Sequence, residues 1–125
     1  MTENEISRII VDAAFAIHQQ LGPGLFESVY EEILVYELIE QGLLVERQKA
    51  VPVIWKERKL DHGFRADLVV NNKVIIEIKS VEALAQVHYK QLLTYLRLTS
   101  IKLGLLINFN ETLIKSGIHR VVNNL

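Results

Sequence analysis

A chain of 125 residues, 50% apolar and 23% charged, has the composition of one globular domain with a single core. It has no cysteine, which excludes disulfides and thiolate metal sites, and no run approaching the roughly 18 consecutive apolar residues of a membrane span; its start, MTENEISRII, lacks the basic and apolar regions of a signal peptide, so a cytoplasmic protein is expected. The formal net charge of −1 speaks against strong non-specific binding of nucleic acid, unless the contact is local or a metal ion supplies the positive charge.

Thr2-Glu3-Asn4-Glu5 has the form of a capping box, and Ile6, Ile9, Ile10, Ala13, Ile17 and Leu21 then mark one face of an amphipathic helix. Gly22-Pro23-Gly24 ends it, because proline cannot continue the hydrogen-bond ladder and glycine permits a sharp turn. A second helix is predicted from about Phe26 to Gln41, with Phe26, Val29, Tyr30, Ile33, Leu34 and Leu38 as its buried stripe and Gly42 as its stop. Two short strands are predicted near Leu44–Gln48 and Val51–Trp55, followed by a charged turn at Lys56-Glu57-Arg58-Lys59. Phe64–Val70 and Val74–Ser80 are β-rich runs joined by Asn71-Asn72-Lys73, which reads as a hairpin. A third helix is expected from about Ala85 to Thr99, a buried strand at Leu103–Phe109 and an edge strand at Ile118–Val122. This order implies an α/β fold, a mixed four- or five-stranded sheet flanked by helices.

The hairpin carries the chemistry. With a three-residue loop, Val70 faces Val74 and Asp67 faces Glu77, and facing residues of an antiparallel pair point to the same side. One face then holds Phe64, Ala66, Leu68, Val70, Val74, Ile76, Ile78 and Ser80, is apolar almost throughout and should pack on the core. The other holds Arg65, Asp67, Val69, Ile75, Glu77 and Lys79, so two carboxylates sit side by side near an ammonium. Like charges directly opposed destabilise a sheet, and either neighbouring cations or a bound divalent ion must offset them. A two-residue turn would put the two acids on opposite faces, so a metal site requires an odd loop or a bulge. The plain alternative is a solvated face with a Glu–Lys ion pair.

These residues resemble a known pattern. Asp67 followed by Glu77-Ile78-Lys79 is similar to the D…(D/E)xK signature of the PD-(D/E)XK nuclease superfamily, and Gly24-Leu25-Phe26-Glu27-Ser28-Val29-Tyr30 resembles the motif that names its GxxExxY family. The likeness extends to Gly63–Leu68, Gln91–Leu96 and Leu103–Phe109, in order along residues 1–125. The resemblance implies a divalent-metal-dependent nuclease domain acting on nucleic acid, DNA ahead of RNA, with Mg²⁺ or Mn²⁺ as cofactor. It implies that Asp67 and Glu77 bind the metal, joined by the Ile78 carbonyl and Glu27, and that Lys79 orients or activates the attacking water. Gln91 and Tyr95 match a QxxxY motif, and His88 lies on the same stripe of the third helix, so all three are expected to touch substrate. Ala66 stands where the superfamily's name has proline, which is not a ligand.

Glu27 also reads as an acid that only stabilises the N-terminus of its helix. His18 reads as a surface or satisfied core histidine or as a functional one, and the Lys56-Arg58-Lys59 cluster as a solvated turn or a contact to a nucleic-acid backbone. A non-catalytic nucleic-acid- or protein-binding module on the same fold is the alternative to a nuclease. A homodimer could span a duplex.

Overall fold

The computed structural model describes residues 1–125. Helix α1, Glu3–Leu21, starts where Thr2 Oγ1 accepts from the Glu5 N–H at 3.2 Å and Glu5 Oε1 accepts from the Thr2 N–H at 3.0 Å, the reciprocal cap written in the sequence. Helix α2 spans Glu27–Glu40 and gives way at Gly42, whose φ of 84° suits a residue without a side chain. Strands β1 (Val45–Trp55), β2 (Arg58–Val70) and β3 (Val74–Lys79) follow, then helix α3 (Gln86–Thr99), β4 (Leu103–Asn108), a short 3₁₀ turn and β5 (Ile118–Val122).

The five strands form one sheet in sequence order, β1-β2-β3-β4-β5. All neighbours are antiparallel except β3 and β4, which are parallel and require a crossover; α3 supplies it. Helices α1 and α2 cover one face. Ile6, Ile10 and Ile17 of α1 and Tyr30, Leu34 and Leu38 of α2 form one apolar cluster with Leu68, Val70, Ile76, Ile78, Leu105 and Ile107. Helix α3 covers the other face, where Leu92 and Leu96 meet Val51, Ala66, Val69, Ile75 and Leu106. Strands β3 and β4 are thus buried on both sides, which is why they read as nearly continuous apolar runs.

The structure corrects four sequence expectations. The two short strands before the hairpin are one strand, β1, irregular at Gln48, whose φ is 47°, and again between Pro52 and Ile54, where its register with β2 shifts. The turn after it is just Lys56-Glu57, with φ of 49° and 67°, so β2 already begins at Arg58. Phe64 and Ala66 lie on the α3 face with Val69, while Leu68 and Val70 face α1 and α2. The alternation slips where Gln48 and Asp67 drop out of the β1–β2 ladder between the pairs Arg47–Leu68 and Lys49–Ala66. Phe26 precedes α2 and is 82% exposed, and Val29 is exposed as well, whereas Glu31 is buried in the helix's inner stripe.

Gly104 of β4 sits beneath α3. A Cβ there would lie 2.8 Å from Leu92 Cδ1 and 2.9 Å from its Cγ. Gly104→Val should therefore lift α3 from the sheet and cost about 1–3 kcal/mol, measured by urea unfolding. An unchanged midpoint would show that α3 does not depend on that close approach.

Candidate metal centre

The β2–β3 hairpin pairs Leu68 with Ile76, Val69 with Ile75 and Val70 with Val74, around the three-residue loop. Asn71 and Asn72 take up the positive φ that the loop needs, 51° and 55°. One step beyond Leu68–Ile76, the regular ladder gives out, and two side chains replace backbone partners. The Asp67 N–H donates to Glu77 Oε2 at 2.8 Å, and the Ile78 N–H donates to Asp67 Oδ2 at 2.8 Å. Each carboxylate is held by the backbone of the opposite strand, so neither is free to swing away.

Glu77 is 7% exposed. Burial, and then the charge of Asp67, push its carboxyl up to about 8; the Asp67 N–H and Lys79 pull the other way without winning. Neither acid is in an ion pair. The two ion pairs of the molecule are Arg47–Glu31 at 3.4 Å and Lys49–Glu46 at 3.0 Å. The bare protein therefore carries two adjacent carboxylates without a contacting cation.

Asp67 also reaches α2. Its Oδ1 accepts from Gln48 Nε2 at 3.3 Å, and the same amide nitrogen donates to Glu31 Oε1 at 2.7 Å. Gln48 can do this because its positive φ takes it out of the strand's regular course. Glu27, Ser28, Glu31, Gln48, Asp67 and Ile78 line a pocket of about 150 Å³, enough for an ion with a few waters.

Tyr30, which closes the motif Gly24–Tyr30, has a structural part. Its hydroxyl donates to the Gly22 carbonyl at 2.6 Å and accepts from the Leu25 N–H at 3.2 Å, while its ring stacks on Phe109 with centroids 4.4 Å apart. Ser80 Oγ, just past β3, donates to the Leu25 carbonyl at 2.6 Å. The loop ahead of Glu27 is thus tied both to its own helix and to the hairpin strand that bears Glu77.

On the α3 side, Tyr95 stacks on Phe64, with ring centroids 3.9 Å apart. Its hydroxyl is held above the usual phenol range by burial and then by the charges of Glu77 and Asp67, so it lies within the field of the acid pair. Lys79 ends β3, half-buried and outside any ion pair. Gln91 is exposed and has no hydrogen bond to the acids, and His88 uses Nδ1 to accept from the Ala85 N–H at 3.0 Å at the start of α3. His18 is buried, with Nε2 2.8 Å from the Glu111 carbonyl, the satisfied core histidine of the two sequence readings.

The sequence does not single out Glu31 and Gln48 as site residues. Glu31 had a signal, since it lies one helical turn after Glu27 and so on the same side of α2. Gln48 had none.

No three Asp, Glu or His side chains converge into a complete ligand cluster. The donors that suit an ion are the Asp67–Glu77 pair, whose oxygens are hard and whose mutual repulsion a divalent cation would remove.

A mixed sheet between helix layers, with two acids at the end of a central hairpin and a lysine two residues beyond the second, is the α/β setting of this site. The family model described as the PD-(D/E)XK nuclease superfamily matches residues 4–121, and the chain belongs to that superfamily. No curated protein and no solved structure matches it.

The raised carboxyl of Glu77 makes metal-free stability depend on pH. Between 4.5, its ordinary value, and about 8, the native state holds a proton that the unfolded chain has lost, so stability falls as pH rises through this window. Urea unfolding in EDTA should show that decline, and Glu77→Gln should flatten it. A wild-type profile that is level from pH 5 to 8 would refute the assignment.

Proposed function

We propose that the protein is a divalent-metal-dependent nuclease of the GxxExxY type, hydrolysing phosphodiester bonds of nucleic acid, DNA ahead of RNA. The observation that carries this reading is the reciprocal clasp of Asp67 and Glu77 by the Ile78 and Asp67 N–H groups, with no contacting cation to balance the pair. Asp67, Glu77 and the Ile78 carbonyl are the residues that would hold Mg²⁺ or Mn²⁺, with Glu27 on the pocket wall as a further acid. When bound, the ion would neutralise the pair, draw in the phosphate and favour deprotonation of the attacking water.

The remaining roles belong to the chain. Lys79 brings a positive charge two residues along the strand from Glu77, on the same side, where it orients the water and stabilises charge developing on the phosphate. Gln48 fixes Asp67 from one side while the Ile78 N–H fixes it from the other, so the acid meets the ion already oriented. Tyr95 offers a hydroxyl to a phosphate or base at the α3 edge of the site. Gln91 and His88 are the adjacent positions on that helix, and substrate contact there requires His88 to give up its hydrogen bond to the Ala85 N–H.

Incubation with labelled single- and double-stranded DNA and RNA, with Mg²⁺ or Mn²⁺, tests the activity. Cleavage should fall about 10²–10³-fold in Lys79→Ala, and heat of Mn²⁺ binding should vanish in Asp67→Ala. Cleavage unaffected by Lys79→Ala would remove the mechanism. Nucleic-acid binding without Mn²⁺ binding or cleavage would establish the non-catalytic module instead.

A further inference from the structure

The hairpin that joins β1 to β2 ends in an apolar and cationic tip that neither the core nor the acid site uses. Trp55 is 66% exposed and Ile54 59%. The turn between the strands has only two residues, Lys56 and Glu57, both at positive φ, the tight connection that suits the twist of a hairpin. Trp55 pairs with Arg58 across it, so the two side chains share a face, and Lys56 Nζ lies 5.9 Å from the indole centroid. Lys56, Arg58 and Lys59 set three cations against one acid, Glu57, within four residues. None of the three takes part in an ion pair.

An exposed indole flanked by unneutralised cations matches the chemistry of a nucleic-acid strand, whose bases present flat π-faces and whose phosphates present regular negative charge. A second copy of the chain fits less well, because a symmetric contact would bring the two cationic tips together. The tip also has a defined reach. On β1, seven steps at ~3.3 Å per residue separate Trp55 from Gln48, which is level with Asp67, so the tip stands at most about 23 Å from the acid pair.

We propose that this hairpin is a nucleic-acid-binding arm, in which Trp55 stacks on an unpaired base while Lys56, Arg58 and Lys59 contact the flanking phosphates, about 23 Å along the strands from the Asp67–Glu77 pair. Its orientation toward a scissile phosphate rests on the nuclease reading; its affinity for a strand does not. It reconciles a chain of net charge −1 with a polyanionic partner, since the attraction is concentrated at one projection.

Trp55 is the only tryptophan, so its intrinsic fluorescence reports on this position alone. The full chain in EDTA, where cleavage is suppressed, is titrated with a single-stranded oligodeoxynucleotide of some 20 or more nucleotides. Saturable quenching is expected. By anisotropy of the labelled strand, Trp55→Ala should weaken binding about five- to hundredfold, and Trp55→Phe should recover most of it. The triple variant Lys56→Ala/Arg58→Ala/Lys59→Ala should lower the salt slope by about 2. These positions are exposed, and unchanged circular dichroism would confirm that the variants fold. Absence of quenching, or equal binding by Trp55→Ala, overturns the arm. So does a self-association that Trp55→Ala abolishes while strand binding stays unchanged. Quenching with no cleavage under Mg²⁺ or Mn²⁺ leaves the arm standing and removes the nuclease reading; cleavage without quenching does the reverse.

Discussion

The candidate site depends on an exchange of partners at the open end of one hairpin. Where β2 and β3 stop pairing backbone to backbone, Asp67 and Glu77 each take a backbone N–H from the opposite strand. Two carboxylates would otherwise repel each other and turn outward to water. Here the donors that would have completed the ladder hold them in place, and they are rigid because β3 is buried on both faces. The cost appears at Glu77, where desolvation and the neighbouring charge outweigh the hydrogen bond it receives. The same apolar packing that makes β3 a good scaffold therefore leaves its acid poorly compensated.

The second constraint is the break at Gln48. A regular strand would place Asp67 on one face only, and the site could draw on one helix layer. At the break the alternation slips, and Asp67 joins Glu27 and Glu31 of α2 in one pocket. Glu77 stays on the α3 side, near enough for its charge to act on Tyr95. The acid pair thus straddles the end of the sheet. That position gives it access to both helix layers, and Tyr30 and Ser80 keep the α2 side in register by tying down the loop that leads to Glu27.

Much of this was legible in the residues. The odd loop Asn71-Asn72-Lys73 was enough to set the hairpin register, because a strand's side chains alternate with a period of two and the loop length decides which residues face each other. The doubly buried strand at Leu103 announced itself by its unbroken apolar run, and the first helix by its capping box. The face assignments of Phe64 and Ala66 were not legible, since they extrapolate alternation through Asp67, where it fails. That failure depends on Gln48 adopting a positive φ, a conformation that glycine or asparagine would have signalled and glutamine does not. Phe26 illustrates a different limit. It continues the apolar spacing of the second helix, but the chain has not yet entered the helix there, so the spacing carries no information about burial. Glu31 shows the reverse case: it stands outside the apolar spacing, yet it is buried, with Arg47 and Gln48 as its partners.

A proton and a divalent cation are alternative ways of relieving the same repulsion. With its carboxyl raised to about 8, Glu77 in the bare protein is held largely protonated at neutral pH. Any ion that uses it as a ligand must displace that proton, so ion binding and proton release are linked. Hard oxygen donors, a preset orientation and a backbone clasp all favour the ion, whereas burial favours the proton. The balance is set within the hairpin, because Lys79, the nearest cation on β3, opposes the upward shift of Glu77 without cancelling it. A lysine in closer contact would have closed the site with an ion pair and left no charge for a metal to neutralise. Its position two residues on, outside any ion pair, leaves the acids without a contacting cation, so in the bare protein the proton on Glu77 relieves their repulsion.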